Sequence, residues 1–137
     1  MSGAERKEIR AAAKAALAAA PGLAEATQIS AWVQSVDAES LPAYGVATPI
    51  ERQDRIGHDL DQCDPTLVVV LKLLGGAEIE DVLDDQGDLI APLVIAAVAA
   101  ENRSCLLVQT ETRAEGDGGK RVGTLTLTFT VTYWADV

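Results

Sequence analysis

The stretch Leu125-Thr126-Leu127-Thr128-Phe129-Thr130-Val131-Thr132-Tyr133 decides the fold. Apolar residues and threonines alternate along it without a break, and only an extended strand turns a period of two into one apolar face and one hydroxyl face. Threonine and valine, branched at Cβ, favour that backbone. A strand of this kind needs a core on one side only and neighbours to complete its hydrogen bonds. Working outward, Ser104 to Arg113 predicts a partner strand. Ala114 to Arg121 (AEGDGGKR) predicts a glycine-rich hairpin between that partner and a strand running from about Val122 to Trp134.

Further upstream, Pro65 to Leu74 (PTLVVVLKLL) is a β-branched apolar run closed by Gly75-Gly76, the pattern of a central strand covered on both faces. Between it and the carboxyl-terminal pair, Ala77 to Glu101 changes to helical spacing, with Ile79, Val82, Leu83, Ile90, Leu93, Val94, Ala97 and Val98 on one side. Six acids and no base lie from Glu78 to Asp88, at the end where a helix dipole favours negative charge. Pro92 removes the bond to residue 88, which predicts a kink or two abutting helices.

The amino-terminal part supplies the remaining elements. Ser2 to Ala20 reads as an alanine-rich helix, with Ser2 as cap, Glu5 as capping-box partner and Pro21-Gly22 as its stop. Gln28 to Val36 alternates as a half-buried strand, Asp37 to Ser40 turns, and Leu41 to Thr48 makes a short strand ending at Pro49. Ile50 to Asp64 (IERQDRIGHDLDQCD) has no period; it fits either a strand extension with one wet side or a long loop. The order αβββαββ, without βαβ repetition, predicts one α+β domain over residues 1–137, a mainly antiparallel sheet with helices packed on one side.

Composition narrows the function. The 137 residues suffice for one core without disulfides or metal. No apolar run approaches the roughly 20 residues of a membrane-spanning helix, and the charged start lacks an export-signal core, so synthesis in the cytoplasm and no membrane partner are expected. A formal charge of -10 disfavours phosphate backbones. Cys63 and Cys105 belong to no CxxC unit and read as small core residues. Neither phosphate-cradling glycine motif occurs, and His58 near Cys63 sits in an acidic segment that disfavours a thiolate.

The acidic run Glu78 to Asp88 lacks the alternating acids and final glutamate of a calcium loop, leaving a solvated helix face or a loose divalent site between subunits. No enzyme activity and no cofactor are expected. The mixed-charge segment with Asp54, Asp59, Asp61, Asp64, Arg52 and Arg55 has the composition of a polar subunit contact. Trp32 and Trp134 fit either caps on the core edge or anchors in an assembly.

Several short pieces occur in a familiar order: Arg10-Ala11-Ala12 in the first helix, Leu41-Pro42-Ala43-Tyr44-Gly45-Val46, the long apolar strand Thr66 to Leu74, Ile79-Glu80-Asp81-Val82-Leu83-Asp84 with Pro92 beyond, and the Leu125 to Tyr133 ending. In this order the chain resembles the tail-terminator family of long-tailed bacteriophages, the U-type minor tail or tail-completion proteins. Glu51 to Asp64 has no counterpart in that pattern.

The resemblance implies a structural virion protein at the head-proximal end of the tail. Such a protein forms a hexameric ring on the tail tube, ends tube polymerisation and offers its other face to head-completion or neck proteins, while DNA passes through unbound. The alanine-rich composition suits a prophage or a phage-derived gene transfer particle. On that reading Arg52, Arg55, Asp59 and Asp61, with Lys120 and Arg121 at the hairpin tip and Trp134, are the contact residues toward other copies or the tube. Two alternatives remain: a neck or head-tail joining protein of similar fold, and a small cytoplasmic ligand-binding or metal-dependent enzyme domain.

Overall fold

The computed structural model describes residues 2–23, 26–29, 41–117 and 120–136. Two helices, α1 (Ser2–Ala19) and α2 (Ile79–Val98), lie against one face of a sheet whose strands are β1 (Thr27–Gln28), β2 (Ala43–Arg55), β3 (Leu60–Gly75), β4 (Arg103–Asp117) and β5 (Lys120–Asp136). Their spatial order is β1-β2-β3-β5-β4. Every junction is antiparallel except β1 with β2, which is parallel over Thr27 and Gln28. The α+β class, the single mainly antiparallel sheet and the order αβββαββ are those expected.

The alternation in β5 builds the core directly. Leu125, Leu127, Phe129, Val131 and Tyr133 are buried, and the intervening threonines are half-exposed on the opposite face. Leu67, Val69 and Leu71 of β3 stand opposite Phe129, Leu127 and Leu125 and join the same layer. From the helices, Ile9, Ala13 and Leu17 of α1 and Ile79, Leu83, Ile90, Val94 and Val98 of α2 close it. Alanine on α1 permits close approach. Where α2 meets the sheet, Gly75 and Gly123 do the same for Ile79: a Cβ on Gly123 would lie 2.5 Å from Ile79 Cγ1.

Both ends of the sheet depart from the boundaries expected. Pro49 does not end β2; the register shifts between Ala47 and Ile50, a bulge that takes up Thr48 and Pro49, and the strand continues to Arg55. The undecided segment Ile50 to Asp64 is therefore two paired strand ends joined by a tight turn, with Ile56 N–H donating to the Leu60 carbonyl at 3.0 Å. Pro65 sits inside the central strand because the β3–β5 pairing skips Asp64 and Pro65; there the Thr132 hydroxyl donates to Asp64 Oδ1 at 2.7 Å. Likewise the glycine-rich connection is mostly strand: β4 runs to Asp117 and β5 begins at Lys120.

Two helix expectations resolve differently. Pro92 lies within one uninterrupted α2, on its exposed side, so the two-helix alternative does not occur. The helix stops at Val98, short of Glu101, with the extended Ala99 N–H donating to the Ile95 carbonyl. The carboxylate of Glu5, the expected capping-box partner, accepts from Arg103 Nη1 at 3.1 Å, while the residue preceding α1 lies outside the described residues. The strand expected from Gln28 to Val36, its turn to Ser40, and Trp32 fall, beyond Ile29, outside the described residues.

Candidate functional site

The residues singled out from the sequence separate into two groups. Arg52, Arg55, Asp59 and Asp61 lie together on the β2–β3 arm, where Arg55 is registered against Asp61 and its Nε donates to Asp61 Oδ1 at 2.6 Å. Trp134 joins them through β5, registered against Gln62 and 44% exposed on the sheet face away from the helices. Arg121 and Lys120 do not join them. They lie where β5 begins, with Arg121 against Gly75 at the other end of β3. Asp61 and Gly75 bracket nearly the whole of β3, so the two groups are about 45 Å apart along the strand at ~3.3 Å per residue.

The arm is built to stand clear of the core. From Arg52 to Asp59 every residue is exposed, whichever face of the strand it occupies. The foot of the arm is held by Glu51, which sequence reasoning missed. Its side chain is only 5% exposed; it pairs with Arg6 of α1 at 3.3 Å and accepts from Tyr133 Oη at 2.9 Å and Gln53 Nε2 at 2.8 Å. Neighbouring Arg52 points to the other face, so alternation alone could have suggested that Glu51 faces the helices, but nothing in the sequence names Arg6 as its partner. Arg103 anchors the adjacent corner, donating from Nε to the Val98 carbonyl at 2.7 Å and pairing with Glu5.

At the opposite end, Arg121 packs beside Glu78, Glu80 and Asp81 at the start of α2, around a recess it shares with Ala114. All six acids from Glu78 to Asp88 lack an ion pair among the described residues, and no base lies on α2. A shallow groove of about 440 Å³ opens between α2 and β4, lined by Asp84, Asp88, Pro92, Leu107, Thr110 and Leu127.

β4 is the outermost strand on that side, and Leu106 to Gly116 are exposed throughout. A bulge at Val108 separates Leu107 from Gln109 in its register. On the face away from the helices, Ile50 and Leu106 stand out at the two ends of a row completed by Thr66 and Thr130.

The chemistry weighed from the sequence finds little geometry. The His58 side chain is 98% exposed on the arm's turn, whereas Cys63 is buried. Cys105 is buried as well, and burial pushes its thiol up to about 11 against the opposing pull of Arg103. Cys63 and Cys105 flank β5 on opposite sides, two strand spacings or about 10 Å apart, beyond the roughly 7 Å a disulfide tolerates.

Among the described residues, no group of three or more His, Cys, Asp or Glu could hold a metal ion. Among them, too, no helix is long and apolar enough to cross a membrane. Comparison of the chain with protein-family models and with curated proteins finds no match.

Proposed function

We propose that the chain is a tail-terminator protein, a ring-forming structural component that caps the tail tube of a phage or phage-derived particle and presents its far side to the neck. The observation that carries this reading is the placement of two charged hairpins at opposite ends of a single sheet. A ring that stops one polymer and receives another needs two different contact surfaces on opposite sides, and a β3 of 16 residues supplies the distance between them. The ordered series of motifs from Arg10 to Tyr133 supports the same reading. Electrostatics agree: six copies would carry a formal charge of about -60, and an acidic passage lets DNA through without adhesion. Contacts of one surface with a different surface of the next copy close a ring by rotation, which ends growth instead of propagating it.

The test is the length of tails assembled without this protein, with purified protein and tail-tube protein imaged together by negative stain. Overgrown tubes in its absence and capped tubes in its presence are expected. Tails of normal length without it would refute the role. A purified monomer that turns over a substrate and leaves tubes uncapped would transfer the chain to the enzyme class.

A further inference from the structure

The outer edge of β4 is long and apolar. The strand pairs with β5 along one side, and among the described residues no strand lies along the other. Its side chains are exposed from Leu106 to Gly116, whichever face they occupy. Edge strands are commonly blunted by lysine or proline, and β4 carries neither. Instead it shows three consecutive apolar residues, Leu106 at 65%, Leu107 at 38% and Val108 at 57% exposed. Such an edge is a template for an added strand, which draws affinity from main-chain hydrogen bonds and specificity from its alternate side chains.

The groove beside that edge selects the strand. α2 runs along β4 in the opposite direction: its start shares a recess with Ala114, and at its end the Val98 carbonyl accepts from Arg103. Between the two lies the groove of about 440 Å³. Its floor is apolar, with Ala91 and Leu127 buried beside Leu107. Its lip is acidic, because Asp84 and Asp88 are exposed and lack an ion pair among the described residues. A strand added to β4 sends every second side chain to this side. Long basic side chains suit it, their aliphatic stems covering the floor and their charged heads reaching the acids. The spacing agrees: Asp84 and Asp88 lie one turn apart, about 6 Å along the helix, and residues i and i+2 of a strand are about 6.6–6.8 Å apart. The intervening residues fall on the face away from the helices, beside Leu106, where apolar side chains fit. An acidic segment would meet like charge at Asp84 and Asp88, with no base on α2 to offset it.

We propose that β4 receives, as an added strand, an extended segment of another protein in which basic and apolar residues alternate. The basic residues face α2 and pair with Asp84 and Asp88, and the apolar ones cover Leu106 on the other face. This edge is separate from the two charged hairpins, and the inference holds whether or not copies of the chain form a ring.

The probe is a fluorescently labelled peptide of alternating lysine and valine, as long as the exposed edge, titrated with the full chain at physiological salt and read by anisotropy. Saturable binding is expected. Asp84→Asn with Asp88→Asn, both at exposed positions, should weaken it at least tenfold. Asp85→Asn with Glu101→Gln removes the same charge outside the groove and should weaken it less than threefold. Strand pairing is read by N-methylating the peptide either at its lysines or at its valines. Successive N–H groups of a strand point to opposite edges, so one methylated peptide should lose at least tenfold and the other less than threefold. Equal losses in the two double variants, or equal binding of the two methylated peptides, would mean that charge alone attracts the probe and would overturn the proposal. Absence of binding would overturn it too; if Val108→Glu then converts an oligomer to monomer, a second copy of the chain is the occupant.

Discussion

Replacing Gly123 by alanine measures how closely α2 is seated on the sheet. The added Cβ would meet Ile79 Cγ1 at 2.5 Å, Ile79 Cδ1 at 2.9 Å and Leu83 Cδ1 at 2.9 Å. The closest of these atoms, Ile79 Cγ1, cannot simply swing away. Ile79 and Leu83 are both fully buried, and Cγ1 sits near the base of its side chain, so the first turn of α2 must lift or the strand must bow. Overpacking of this kind costs about 1–3 kcal/mol, and contact on two side chains at once places Gly123→Ala near the upper end. Gly75 offers an internal contrast: its closest contact is also 2.5 Å, but with the terminal Ile79 Cδ1, and the next lies at 3.5 Å. Rotation about one χ2 relieves it, and Gly75→Ala should cost under about 1 kcal/mol.

Urea unfolding of the two single variants, of Ile79→Ala and of the Gly123→Ala/Ile79→Ala double variant closes the cycle. Ile79→Ala by itself should cost about 2–5 kcal/mol through the cavity it leaves. In that background the Gly123→Ala penalty should fall by at least about 1 kcal/mol, since the new methyl enters the vacated space. Additivity to within about 0.4 kcal/mol would show that Gly123 and Ile79 do not compete for volume, and the close seating of α2 would be refuted.

Two further outcomes follow from buried groups. The Cys105 thiol is raised from 9.0 to about 11, so the folded state retains a proton that the unfolded chain has lost; its contribution is complete below about pH 9 and disappears as pH rises to about 11. Compared with Cys105→Ala, the parent should lose up to roughly 2 kcal/mol more stability over that window, and parallel denaturation curves at pH 8 and 11 check it. Glu51→Ala would strip Arg6, Gln53 and the Tyr133 hydroxyl of a shared acceptor and should destabilise by about 1–3 kcal/mol, whereas Glu51→Gln, which keeps an acceptor oxygen, should recover at least half by thermal melting.

Legibility in the sequence followed burial. β5 and the centre of β3 were readable because one or both faces meet the core, and the helices because Ile9, Ala13 and Leu17, or Ile79, Leu83, Ile90 and Val94, repeat at helical spacing. The β2–β3 arm was not, since a strand exposed on both sides is under no pressure to alternate, and Arg52 to Asp59 carry no period for that reason. Pro49 and Pro65 misled about strand ends because a bulge and a gap in the ladder, both properties of pairing, accommodate them. The separation of Arg52 from Arg121 depends on register across β3, which no local pattern encodes. Glu51 was missed for a related reason: its partners Arg6 and Tyr133 come from opposite ends of the chain.

The long central strand also has a mechanical meaning. Tension applied between the arm and the far hairpin travels lengthwise through β3, and the bonds tying that strand to β2 on one flank and β5 on the other are then strained together, in shear, instead of opening one after another like a zipper. A coupling pulled from both sides, as a joint between two rigid assemblies is whenever either bends, gains most from a spine oriented along the load.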